Sequence, residues 1–189
     1  MKINSIKFNF IMNLILTVSN FLFPLITFPY VSRVLLPEGT GKVAFAVSVI
    51  TYFSMLATLG VNSYGVRATA QVRDDKLLLS KVTHEILAIN FTVMCFVYML
   101  FFIALDVVPQ LSADPKLFII TSSMILFSII GVEWLYKGLE QYRYITVRTI
   151  IFRLIALAAT FLLVKEKSDY LVFAAITAFA TVGSGLVNF

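Results

Sequence analysis

The stretch Phe8–Leu36, FNFIMNLILTVSNFLFPLITFPYVSRVLL, decides the fold. Only Arg33 in it is charged. About 20 mostly apolar residues cross the hydrocarbon core of a bilayer, so this run is long enough for a membrane helix. It is too long for the apolar core of a signal peptide. It ends in Pro37-Glu38-Gly39, without a small-x-small cleavage pattern, and reads as a retained span.

Five more apolar segments follow, at 43–61, 86–105, 117–136, 145–164 and 170–189, separated by short connections that carry almost all the charge. Barrel strands alternate over about ten residues; these runs are longer and unalternated, so helices are expected. Composition agrees. Of 189 residues 60% are hydrophobic and 13% charged, against roughly 25% charged in soluble domains, and mean hydropathy is +0.94. A soluble enzyme, a nucleic-acid reader and a disordered tail are excluded as readings. The expectation is an all-α polytopic membrane protein, residues 1–189 forming one bundle of six transmembrane helices.

A pI near 9.4 then speaks of orientation. The N-terminus, the 62–85 connection and the 137–153 region hold Lys2, Lys7, Arg67, Arg73, Lys76, Lys81, Lys137, Arg143, Arg148 and Arg153. The opposite connections hold Arg33, Lys42, Lys116, Lys165 and Lys167. Ten cations against five place the N-terminus in the cytoplasm, and six spans return the C-terminus there. The last segment runs to Phe189 with no anchoring residues after it, so the chain is expected to be the N-terminal portion of a longer protein.

Loop chemistry is modest. Leu36-Pro37-Glu38-Gly39-Thr40-Gly41 reads as a tight external turn, Pro ending one helix and the glycines permitting the reversal. Gly41-Lys42 has the tail of a phosphate-binding loop, but Leu36 and Val43 break the required spacing, so ATP hydrolysis is not expected. Asp74-Asp75 reads as a helix cap opening an amphipathic stretch at the inner surface. Cys95 is the only cysteine and His84 the only histidine, so neither a disulfide nor a His-rich metal site is available. His84 and Glu85 point about 100° apart on a helix and make a poor dyad. No catalytic residue, metal site or cofactor is expected.

Polar residues inside apolar segments are the informative ones, because each must find a partner in hydrocarbon. The first segment carries Asn9, Asn13, Thr17, Asn20, Pro24 and Thr27, at steps of 4, 4, 3, 4 and 3: one helical face. With Pro24 and Pro29 in its outer half, it suits a bendable helix lining a wet cavity; helix–helix glue is the alternative. The fifth segment repeats the pattern with Thr146, Thr149, Arg153, Ala156 and Thr160. Arg153 lies ~12 Å along it at helical rise, where it either snorkels to headgroups or faces an aqueous lumen. Arg148, nearer the surface, reads as an orientation charge. Arg33 has two readings, a headgroup contact and a cavity contact. Glu133-Trp134 reads as an ion pair and interfacial anchor, with ion coupling by Glu133 as the sharper option. Ala174, Ala178, Thr181 and Gly185, with Ala44, Ser48, Thr51 and Thr58, read as packing residues, and Asn90 and Cys95 as core.

Three motifs in order carry a resemblance: Phe28-Pro29-Tyr30-Val31-Ser32-Arg33-Val34-Leu35-Leu36-Pro37-Glu38-Gly39-Thr40-Gly41; Leu59-Gly60-Val61-Asn62-Ser63-Tyr64-Gly65-Val66-Arg67 with Val72-Arg73-Asp74-Asp75; and Glu133-Trp134-Leu135-Tyr136-Lys137-Gly138-Leu139-Glu140 leading to Tyr144-Ile145-Thr146-Val147-Arg148. Together they resemble the O-antigen and capsule repeat-unit flippases of the multidrug/oligosaccharidyl-lipid/polysaccharide exporter superfamily. The resemblance implies one lobe of a two-lobed transporter whose other partners are membrane lipid and a C-terminal lobe. It implies passage of polyprenyl-pyrophosphate-linked oligosaccharide, specifically undecaprenyl-linked, by alternating access. On that reading Arg33 and Arg153 are the expected anion contacts, Asn13, Asn20 and Tyr30 the polar lining, and Pro24 and Pro29 the bend. A drug or metabolite exporter of the same superfamily would call for an acidic, aromatic cavity. A membrane enzyme on polyprenyl-linked sugars would call for carboxylates or a metal on a large outer loop. No nucleic-acid partner is expected.

Overall fold

The computed structural model describes residues 6–58 and 60–186. The described residues form helices and connecting turns, without strands. In chain order they are α1 (Ile6–Val34), α2 (Leu36–Thr58), α3 (Val61–Val72), α4 (Lys76–Val107), α5 (Pro109–Ser112), α6 (Pro115–Ile130), α7 (Glu133–Gly138), α8 (Tyr142–Leu163), a 3₁₀ turn (Lys167–Asp169) and α9 (Tyr170–Leu186).

Every expected segment contains a helix. Among the described residues five helical stretches are long and apolar enough to cross a membrane: 6–34, 36–58, 76–107, 115–138 and 142–163. The sixth expected segment is helical over the 17 residues of α9; residues 187–189 lie outside the described part. The chain is a multi-pass membrane protein.

Helix ends show where local chemistry overrode the sequence reading. The reversal between α1 and α2 falls at Leu36, which takes a left-handed φ of 58°, and residues 37–41 belong to the first turns of α2. The expected turn in Pro-Glu-Gly-Thr-Gly is therefore corrected. Proline is tolerated in a first helical turn because its missing N–H would have had no partner there. Gly39 then lets the turn sit close, its Cβ position 3.1 Å from Leu35 Cβ.

The 62–85 connection is also largely helical. It holds α3 and the start of α4, whose N-cap is Asp75: its carboxylate accepts from the Leu77 and Leu78 N–H groups at 2.9 and 3.1 Å. The cap expected at Asp74-Asp75 is there, and it opens a helix continuous with the third apolar segment. The fourth segment, by contrast, is broken. Val132 adopts a left-handed φ of 34°, ending α6 and starting α7.

Packing arranges α1, α8, α9, α6 and α2 as neighbours in a ring, α2 closing on α1, with α4 against the outer side of α2 and α6. The largest apolar cluster lies in the α2–α4–α6 wall, around Ile50, Phe101, Phe118 and Ile125. Asn90 is buried in this region of α4 as expected. Cys95 is exposed rather than core; it is one residue past Met94 and so points off the buried face at 86, 90, 94, 97 and 101.

α3 and α7 cap one end of the ring. They meet through glycines, a Cβ on Gly65 falling 2.6 Å from Trp134 Cδ2 and one on Gly138 2.5 Å from Thr69 Cβ. Arg73 adds an ion pair to Glu140 at 3.1 Å. Trp134 is 3% exposed, a packing residue instead of an interfacial anchor, because Gly65 leaves room for its ring. Gly65→Ala should thus cost about 1–3 kcal/mol through overpacking, seen as a lower thermal midpoint in detergent. Gly41→Ala, with nothing within 4 Å of the new Cβ, should leave the midpoint unchanged or raise it.

Candidate functional site

The ring surrounds a partly open cavity of about 580 Å³. α1 contributes Asn13, Thr17 and Asn20 to it, and α2 contributes Thr51, Ser54 and Thr58. From α8 come Arg148, Thr149 and Arg153, and from α7 Glu133 and Lys137. The break at Gly131–Val132 borders the cavity, where Gly131 Cα lies 3.2 Å from a Cβ built on Gly185. A helix interrupted beside a cavity exposes backbone groups that the surrounding water or protein can satisfy.

Asn13, Thr17 and Asn20 of the α1 stripe line this space, while Leu14, Val18, Phe21 and Leu25, about a third of a turn round the helix, are exposed. Several hydroxyls in the lining are held by their own helices: Thr17 donates to the Asn13 carbonyl, Thr51 to Val47 and Thr58 to Ser54. Their oxygens can accept from donors in the cavity.

A second, more apolar chamber of about 330 Å³ adjoins the first. Phe23, Phe28, Val31, Phe173 and Ile176 line it, with Pro24, Thr27 and Thr160. Asn20, Arg153, Ala180 and Thr181 line both chambers. Arg153 therefore stands at the junction of a polar and an apolar compartment.

Each arginine is placed by neighbours on more than one residue. Arg153 donates from Nη1 to Ser19 Oγ at 2.8 Å and from Nη2 to Asn20 Oδ1, both on α1. The Phe23 ring centroid lies 6.0 Å from its guanidinium carbon, within cation–π range. Arg148 is buried, with its guanidinium 5.3 Å from the Tyr144 ring centroid. Tyr144 in turn stacks on Tyr136, centroids 4.9 Å apart. Reading Arg148 as a surface orientation charge is corrected: its side chain is buried and lines the cavity.

Glu133 and Lys137 form an i,i+4 ion pair at 2.9 Å. Three cationic side chains and one carboxylate line the polar chamber, a formal balance of 3 − 1 = +2. Guanidinium groups offer forked donors matched to phosphate or carboxylate oxygens. Among the described residues no group of three His, Cys, Asp or Glu side chains is placed to hold a metal ion.

The expected site residues thus divide. Asn13, Asn20 and Arg153 come together in the polar chamber. Tyr30 lies farther along α1 and donates its hydroxyl to the Val164 carbonyl at 2.8 Å. Arg33 is exposed near the C-terminal end of α1, outside the lining of either chamber. Sequence reading missed Lys137, Ser19 and the cavity position of Arg148, and took Thr51, Thr58, Thr181 and Gly185 for packing alone. Tyr144, four residues before Arg148, was the available signal, since i,i+4 positions share a helix face.

A polar, cationic chamber inside a multi-pass helical bundle defines a membrane protein with a hydrophilic interior cavity. The chain belongs to the family described as "Polysaccharide biosynthesis protein", whose model matches residues 6–189. It is 28% identical over 186 residues to a protein named "Putative O-antigen transporter" of Escherichia coli (strain K12), covering 97% of this chain and 44% of the relative. A Shigella dysenteriae protein of the same name is 29% identical over 151 residues, covering 80% of this chain and 38% of the relative. The chain spans less than half the length of these curated relatives. No solved structure matches it.

Polar bonds between helices hold the cavity walls together. Thr146, 1% exposed, donates from α8 to the Met12 carbonyl of α1 at 3.0 Å. Interhelical hydrogen bonds in membranes average ~0.6 kcal/mol and reach ~1.7. Thr146→Val should lower stability within that range in a denaturation series. Thr92→Val, which removes only an exposed bond to its own helix, should change it little.

Proposed function

We propose that this chain is the N-terminal lobe of a flippase that moves undecaprenyl-pyrophosphate-linked oligosaccharide repeat units across the bacterial plasma membrane for O-antigen or capsule synthesis. A C-terminal lobe of the same transporter completes the path, and the N-terminus faces the cytoplasm, as the excess of Lys and Arg on that side favours, eight against five with the cavity-lining Arg148 and Arg153 set aside. The names of the relatives point to transport rather than catalysis.

The observation that carries the reading is the pairing of two chambers at Arg153. The cargo is an anionic, hydroxyl-rich headgroup on an apolar tail. A pyrophosphate left unpaired in hydrocarbon is very costly, so its path needs fixed cations, and Arg148, Arg153 and Lys137 supply them. Asn13, Asn20 and the hydroxyls of α2 bond the sugars. Pro24 and Pro29 allow α1 to bend between inward and outward access. Arg33, at the far end of α1, meets the anion as it leaves, and Tyr30 holds that end of α1 on α8.

The two rivals fit less well. A cation exporter gains nothing from a chamber whose formal balance is +2. An enzyme on polyprenyl-linked sugars would use paired carboxylates, whereas the chamber's one carboxylate, Glu133, already pairs with Lys137. Arg153→Ala in the full-length protein should reduce O-antigen or capsule export by at least about tenfold, the loss expected for hydrogen bonds to a charged group. Arg153→Lys, which keeps charge but loses the fork, should fall between. Normal export at normal expression of Arg153→Ala would refute the assignment.

A further inference from the structure

Two of the five N–H donors of the Arg153 guanidinium are already taken by α1. Nη1 donates to Ser19 Oγ and Nη2 to Asn20 Oδ1, so both terminal nitrogens are bonded to oxygens of α1. Phosphate oxygens approach a guanidinium through the same nitrogens. Four residues after Asn20 stands Pro24, which has no N–H to give to the Asn20 carbonyl. The backbone of α1 is thus weakened immediately beyond the point where Arg153 grips it.

Two further polar ties of α1, to α8 and to the residue that ends it, lie on either side. Thr146 holds the carbonyl of Met12, and the Tyr30 hydroxyl holds Val164. Releasing Arg153 frees the middle of α1 and leaves both flanks attached.

We propose, resting on the anion-binding reading above, that Ser19 and Asn20 act as built-in competitors of the anionic cargo group for the Arg153 guanidinium. Binding of a phosphate group there displaces the two α1 oxygens and unlatches α1 from α8 next to its proline hinge. Occupancy of the cavity is in this way linked to the helix that must bend. The linkage predicts a sign that a positioning role for these residues does not. Competitors raise anion affinity when removed; residues that aim Arg153 at the anion lower it.

The test uses the full-length protein in lipid nanodiscs, titrated with inorganic pyrophosphate, which has no sugar for Asn20 to bind. Arg153→Ala should weaken binding by at least about tenfold. Ser19→Ala/Asn20→Ala should instead tighten it by about three- to tenfold, the worth of one or two net hydrogen bonds. Each single variant should tighten it by less, so that a poorly folded double variant does not decide the matter. Nitroxides at Leu22 and Leu154, with Cys95→Ser, provide a second readout. Pyrophosphate should lengthen their separation in the wild-type background, and the double variant should show the long distance without it. Unchanged or weaker binding by the Ser19 and Asn20 variants, with Arg153→Ala still weakened, would overturn the competition and leave the anion reading standing. Unchanged binding by Arg153→Ala would overturn both.

Discussion

An arginine buried along a membrane helix needs a wet surround or hydrogen-bond acceptors, because the surrounding lipid offers neither. Arg153 has acceptors on α1, in Ser19 and Asn20, and a place on the cavity wall. That contact fixes the rotation of α1 about its own axis. With Ser19 and Asn20 turned toward α8, the stripe at 13, 17 and 20 opens onto the cavity, and Leu14, Val18 and Leu25 fall on the side of α1 away from buried Leu16 and Ser19. Lipid gives helices no hydrophobic reason to associate, so such polar ties, with Thr146 to Met12 and Tyr30 to Val164, set how α1 sits. The wall opposite α1 is assembled differently. It relies on Ile50, Phe101, Phe118 and Ile125 packed in one cluster and on close glycine contacts between α6 and α9.

The interior joins two solvents. A chamber lined by Arg148, Lys137, Asn13 and the hydroxyls of α2 continues into one lined by Phe23, Phe28, Phe173 and Ile176. On the function proposed above, the cationic end would take the anionic headgroup and the aromatic end the apolar tail. The broken stretch at Gly131–Val132 puts backbone, as well as side chains, at the edge of the polar chamber.

The helices were legible because composition and length decide them: a run like Phe8–Leu36 has few other places to be. The α1 stripe was legible because an asparagine in hydrocarbon costs too much to be placed at random. Turns were harder. Leu36 and Val132 take left-handed backbone conformations that favour glycine, so neither residue type announces the break it makes. α3 escaped notice because its polar composition resembles a connection; its buried face, Gly65 and Thr69, is two residues of low hydropathy four apart. Arg148 is misplaced when distance from a loop is taken for depth; its side chain is buried, beside the Tyr144 ring. Thr51 and Thr58 were ambiguous in principle, since a small hydroxyl serves close packing and polar lining equally well.

The central claim is that the α1 face at 13, 17 and 20 looks onto water while the face at 14, 18 and 25, about a third of a turn away, looks onto lipid. Single nitroxides placed along α1 in the full-length protein in bilayers, scanned for collision with a water-soluble nickel chelate and with oxygen, measure this directly. Positions 13, 17 and 20 should favour the nickel chelate, and positions 14, 18 and 25 should favour oxygen. Oxygen dominance at all six, or exclusion of both reagents at 13, 17 and 20, would contradict the account.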